Sequence, residues 1–107
     1  MSKAASVTTS DFQVEVLEST IPVLVDFWAP WCPPCRAIAP EIDAVALSME
    51  GKAKVLKLDV DEEPEVEARY GVKSIPTLII FKNGLPVGQI NGAVSRKVIS
   101  AKLSEYI

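Results

Sequence analysis

Cys32 and Cys35 are the only cysteines in this 107-residue chain. They stand three positions apart in FWAPWCPPCRAIAP, with Pro33 and Pro34 between them and both tryptophans, Trp28 and Trp31, in the same stretch. Two thiols at that spacing can close a disulfide, clip a metal, or exchange electrons with another disulfide. The metal clip is short of ligands. Two thiolates supply half of a four-ligand zinc set, and the sequence has no histidine and no third cysteine to complete it. Only a site shared across a dimer would make up the number. A static disulfide sits poorly with a chain that otherwise reads as intracellular, where a close cysteine pair is more often catalytic or metal-binding. A redox-active dithiol fits best. The lack of histidine also removes Cys-His and Ser-His nucleophile pairs.

The flanking residues place the pair where that chemistry is favoured. PVLVDFWA is a nearly continuous apolar run, the pattern of a strand buried on both faces. After the cysteines, Ile38, Ile42, Val45 and Met49 recur at helical spacing. Cys32 therefore falls where a strand gives way to a helix, and the unpaired N–H groups and dipole of a helix N-terminus favour a thiolate there. Cys35, one turn on, is close enough to attack a mixed disulfide formed at Cys32. Pro33 and Pro34 are tolerated in a first helical turn. They stiffen the loop, and they also remove two donors that could have stabilised a Cys32 anion. Asp26, a carboxylate inside VLVDFW, is expected to be desolvated, which raises its pKa and makes it a proton acceptor. The alternative is a solvated strand end.

The rest of the chain alternates strand and helix. A short strand near Val7 precedes SDFQVEVLES, which reads as a helix capped by Ser10 or Thr9 with Phe12, Val16 and Leu17 on one face. Pro40 is expected to kink the helix after the cysteines, and Gly51 to end it. KVLKLDV is a second apolar strand, and PEVEARYG a short helix between Pro64 and Gly71. TLIIFKNGLPVGQING is a hairpin turning at Asn83-Gly84. In the last helix Val98, Ile99, Leu103 and Tyr106 or Ile107 share a face. The order β-α-β-α-β-α-β-β-α implies one α/β domain over 1–107, with a central mixed sheet, mostly parallel with an antiparallel C-terminal hairpin, and helices on both faces.

Composition narrows the function classes. About half the residues are apolar, and the net charge of −3 offers no basic face for nucleic acid or anionic membrane. No run approaches a membrane span, and the N-terminus lacks the apolar core of a secretory signal. No nucleotide or flavin motif is present, so no cofactor is expected and electrons must come through a partner. The expected location is the cytoplasm, with an organellar stroma or matrix as the alternative. A monomer is expected.

VDFWAPWCPPCRAIAPEID, KLDVDEEPEVEARYGVKSIPTLIIFKNG and NGA, in that order and spacing over essentially the whole chain, closely resemble the thioredoxin family. Two departures stand out: Pro33 makes the box WCPPC in place of the usual WCGPC, and Ser74 stands where glycine is common. The resemblance implies a protein-disulfide reductase. Cys32 is then the attacking, more exposed cysteine, Cys35 the buried resolving one, and Asp26 the acid that helps deprotonate it. Lys57, which the strand pattern alone reads as solvated, becomes a residue buried near that acid. Pro76, by itself an ordinary trans proline at a strand start, becomes a cis proline against the cysteines.

The backbone of Ile75 then offers an edge to an extended target segment. Trp31, Pro34, Ile75, Pro76, Gly92 and Ala93 surround Cys32 as a flat apolar patch, although Gly92 also reads as a simple turn glycine. Trp28 reads as packing, and Asp59, Asp61, Glu62 and Glu63 as a solvated acidic face. The implied partners are disulfide-containing proteins and a thioredoxin reductase, NADPH- or ferredoxin-linked. Two rivals share the pattern: an oxidase or isomerase on the same fold, and a binding subunit whose dithiol is dispensable.

Overall fold

The computed structural model describes residues 3–107. The apolar run becomes β2, Val23–Trp28, whose first five residues are buried. It lies at the centre of a five-stranded sheet ordered β1-β3-β2-β4-β5. On one side β3, Lys54–Asp59, runs parallel to it, and the two-residue β1, Ala5–Ser6, continues that direction at the edge. On the other side β4, Thr77–Lys82, is antiparallel to β2. The outer strand β5, Leu85–Asn91, is antiparallel to β4. Only β4 opposes the common strand direction, so the sheet is mixed as expected, with two parallel and two antiparallel pairings. The hairpin does more than decorate an edge, because its first strand pairs with the central one.

Parallel neighbours need a crossover, and α1, Pro33–Ser48, supplies it between β2 and β3. Side-chain alternation along β2 separates two cores. Leu24 packs with Ile38, Ile42 and Val45 of α1, with Leu78 and Ile80, and with Ile99 and Leu103 of α3, Arg96–Ser104. Val23, Val25 and Phe27 join Phe12, Val16, Leu58, Ile79, Phe81 and Val66 of α2, Pro64–Arg69, on the other face. There Phe12, Tyr70 and Phe81 form a ring cluster with centroids 5.1–5.8 Å apart. No helix among the described residues is long and apolar enough to cross a membrane.

Two local expectations need correction. The first helical segment is a single π-turn, Gln13–Leu17, closed by Glu18 N–H donating to Gln13 O. Neither Thr9 nor Ser10 caps it. Asp11 instead accepts from the N–H and hydroxyl of Thr8, turning the chain before the helix begins. α1 holds Pro40 in its interior and continues to Ser48. In α3, Val98 is 49% exposed. Ser95 accepts from Val98 N–H and sets the helix phase; Ile99 and Leu103, four apart, then face inward and Val98 points away. Ile107 is exposed too, while Tyr106 is half-buried and donates to the Val87 carbonyl.

The hairpin turn is fixed by φ of 54° at Asn83 and 79° at Gly84, the signature of a turn that matches strand twist. A Cβ on Gly84 would also come 3.1 Å from the Leu17 carbonyl oxygen, which is backbone and cannot swing aside. Gly84→Ala is therefore expected to destabilise the fold by about 1–3 kcal/mol through left-handed strain and crowding together. A urea midpoint unchanged from the parent would contradict this.

Candidate active site

The strand-to-helix junction puts Cys32 at the N-cap of α1, with φ −89° and ψ 109°. Its sulfur accepts from the Cys35 N–H at 3.2 Å, the role a serine or threonine oxygen plays at an ordinary cap. Pro33 and Pro34 occupy the first two helical positions. Cys32 and Cys35 are joined by a disulfide, their Cα atoms 5.2 Å apart. The expectation that Cys32 is the more exposed sulfur is not met, since both residues are 2% exposed. The disulfide ties Cys32 Sγ inward, and it lies 3.9 Å from the Ile75 carbonyl oxygen, within reach of a thiol proton once the bond is reduced.

The capping geometry separates the two prolines. A cap side chain accepts from the N–H of the second or third helical residue, not the first. Pro34 therefore removes a donor that faces the Cys32 sulfur, and Pro33 does not. Pro33→Gly is expected to leave the Cys32 pKa nearly unchanged and to lower stability by about 0.4–1 kcal/mol, through the greater freedom it gives the unfolded chain. Thiol titration together with urea unfolding checks both halves.

On β2, Asp26 is 1% exposed. Its Oδ1 has no hydrogen-bond partner among the described residues. Burial pushes the carboxyl up to about 7 from an ordinary 3.8; Lys57 opposes the shift and Asp43 adds to it. Asp26 is in register with Lys57 on β3 and Leu78 on β4. Lys57 is half-buried rather than solvated, its ammonium 4.4 Å from the centroid of the Trp28 ring. Strand pattern alone missed this, because alternation places Lys57 on a face without saying what covers it. The Trp28 Nε1 is buried and has no partner among the described residues.

Around the sulfurs, Ile75-Pro76 is cis, with Pro76 buried and Ile75 half-buried. Thr77 Oγ1 donates to the Ser74 carbonyl at 2.6 Å, and the Gly92 N–H donates to the Pro76 carbonyl at 2.9 Å. Gly92, at φ 88°, thus joins the proline segment directly and is more than a turn residue. Ala93 follows it, exposed. Pro34 is exposed, and Trp31 is 63% exposed, with its Nε1 donating to Asp61 Oδ2 at 2.7 Å.

The acidic stretch is accordingly not a plain solvated face. Asp61 holds Trp31, Asp59 accepts from the Asp61 N–H, and Glu63 accepts from the Thr9 N–H. The Trp28–Asp59 register brings the loops after β2 and β3 together, a proximity no local pattern records. A cavity of about 240 Å³ lined by Ala5, Ala46, Ala53 and Leu56 lies at the other end of α1 and includes none of these residues. Among the described residues, no group of three or more His, Cys, Asp or Glu is arranged to hold a metal.

The family model described as Thioredoxin matches residues 3–105. The chain is similar to Thioredoxin 1 of Nostoc sp., 53% identical over 107 residues and 100% of both chains. It is 48% identical to the thioredoxin of Synechocystis sp., again over 100% of both. It is 47% identical to the M-type chloroplastic thioredoxin of Chlamydomonas reinhardtii, over 98% of this chain and 75% of that one.

Proposed function

This chain belongs to the thioredoxin family and is a thiol–disulfide oxidoreductase, and from that premise we propose that it reduces disulfides in other proteins, with Cys32 as nucleophile and Cys35 as resolving thiol. The observation that carries the reading is the disulfide between an N-cap cysteine and the residue one turn on, following a strand that holds a buried carboxylate with a raised pKa.

In the reduced protein the Cys32 thiolate attacks one sulfur of a target disulfide. The Cys32–target bond forms as the target S–S bond breaks, and the first target sulfur leaves as a thiolate. Asp26, ionised, takes the proton of Cys35 directly or through water. The Cys35 thiolate then attacks Cys32 Sγ, and the second target sulfur leaves. Two electrons have passed to the target, and the Cys32–Cys35 disulfide remains. Lys57 sets how readily Asp26 ionises, since its charge lowers the Asp26 pKa. Pro33 and Pro34 tune the couple through loop stiffness and the donor lost at Pro34.

Target proteins dock on the patch of Trp31, Ile75, Pro76, Gly92 and Ala93, where the Ile75 backbone pairs with an extended segment and tolerates many side chains. A thioredoxin reductase, NADPH- or ferredoxin-linked, restores the dithiol. The working unit is a monomer formed by one domain over 1–107. We assign it to the cytoplasm on its similarity to cyanobacterial thioredoxins, with a plastid stroma as the alternative suggested by the chloroplastic relative.

Catalytic amounts of the protein, with NADPH and a thioredoxin reductase, are expected to drive reduction of an oxidised protein substrate. Cys32→Ser should abolish turnover. Full function retained when both cysteines are serine would mean a binding subunit instead.

A further inference from the structure

We infer that Glu41 and Arg96 are positioning residues for target docking, a clamp that fixes the Gly92–Ala93 wall of the groove to the helix carrying the cysteines. The inference rests on the docking patch proposed above. Glu41 lies on α1, less than two turns beyond Cys35, and Arg96 is the first residue of α3. One carboxylate takes three donors: Glu41 Oε1 accepts from the Arg96 backbone N–H at 2.8 Å and from its Nε at 3.3 Å, and Oε2 accepts from Nη2 at 3.1 Å. The backbone N–H is one that α3 cannot satisfy internally.

An isolated surface ion pair would do little. This one differs in geometry, since a forked guanidinium contact and a main-chain bond converge on the same carboxylate. The guanidinium holds the Glu41 carboxyl below its usual range.

The clamp matters because of what it bounds. The segment 92–95 leaves β5 at Asn91 and enters α3 at Arg96. At one end the Gly92 N–H is bonded to the Pro76 carbonyl. At the other, Glu41 ties Arg96 to α1. Between them Val94 packs against the core, but Gly92 has left-handed backbone geometry with no neighbour near its Cβ position and Ala93 is exposed, so the Gly92–Ala93 pair has few contacts of its own. The two anchors relate the wall to Ile75-Pro76 and to α1, whose N-cap is Cys32. With the second anchor released, the wall occupies its docking position for only part of the time, and apparent affinity falls by that fraction.

Reduced protein should be assayed as the parent, Glu41→Gln, Glu41→Ala, Arg96→Ala and the double alanine variant. The readouts are KM and kcat for an oxidised protein substrate, the rate with 5,5′-dithiobis(2-nitrobenzoate), which needs no groove, and the reduction potential. For Glu41→Ala and Arg96→Ala we expect KM to rise about three- to tenfold, with kcat, the small-disulfide rate and the potential unchanged. The double variant should be no worse than either single one, because both remove the same clamp. Glu41→Gln, which keeps an acceptor for the backbone N–H and serves as the gentlest change to the fold, should fall between. An unchanged KM in all four, or a loss shared equally by the small disulfide, would overturn the inference. Ala93→Glu separates the two readings: a raised KM there with none at Glu41 and Arg96 overturns the clamp alone. No effect at any of the three positions overturns the docking patch as well.

Discussion

Replacing Cys35 by serine is expected to turn the protein from a catalyst into a trap. Cys32 keeps its cap position and its contact with the Ile75 carbonyl, so attack on a target disulfide proceeds and the mixed disulfide forms. Its resolution then depends on a thiol arriving from solution. In the parent, Cys35 stands one turn away on the same rigid helix, with its Cα 5.2 Å from that of Cys32. Even a conservative effective molarity for so close a pair exceeds millimolar solution thiol by roughly 10³-fold, and turnover should fall by at least that factor. Mass spectrometry should find a one-to-one covalent adduct with an oxidised protein substrate. Adduct formation by Cys32→Ser and not by Cys35→Ser would reverse the assignment of the two roles.

The second large effect belongs to Asp26. Unfolded, this carboxyl ionises near 3.8; folded, burial holds the proton until about pH 7. Between those values the native state binds a proton that the unfolded state has lost, so stability falls as pH rises through the window. The full penalty is present above about pH 7 and absent below about pH 4. The shift corresponds to about 4 kcal/mol as an upper figure. Asp26→Asn, close in shape and uncharged, is expected to be more stable than the parent at pH 8 by up to that amount, with the gain shrinking toward zero at pH 4. The same change should slow resolution of the mixed disulfide above pH 7, where the parent has an ionised acceptor. Urea unfolding of the oxidised protein at several pH values tests the first half; a gain independent of pH would show that packing, and not the buried charge, is responsible.

Much of this site can be read from the chain before folding, because its key groups announce themselves locally. A cysteine pair after an apolar strand, a carboxylate inside that strand, and a proline at the start of another each break a pattern that surrounding residues make plain. The alternation of strands and helices, with Asn83-Gly84 between two apolar runs, carries the sheet as well. What escaped was contact between elements. Asp61 holding Trp31, Lys57 over Trp28, and Glu41 clasping Arg96 join residues 30, 29 and 55 positions apart, and periodicity says only which way a residue faces. Val98 was misplaced because α3 is short, and one capping serine decides its phase. The equal burial of the two sulfurs depends on the disulfide itself and on the Ile75 carbonyl, neither of which has a sequence signature.

The reduction potential of the Cys32–Cys35 couple tests the central claim most directly. The protein would be equilibrated in a series of thiol/disulfide buffers and followed by the fluorescence of Trp28 and Trp31. A value near thioredoxin's, about −270 mV, is expected: Cys35 N–H still reaches the sulfur, and Pro33 removes no donor that faced it. A value of roughly −180 to −120 mV, the range of disulfide-forming and isomerising enzymes, would contradict the reductase reading.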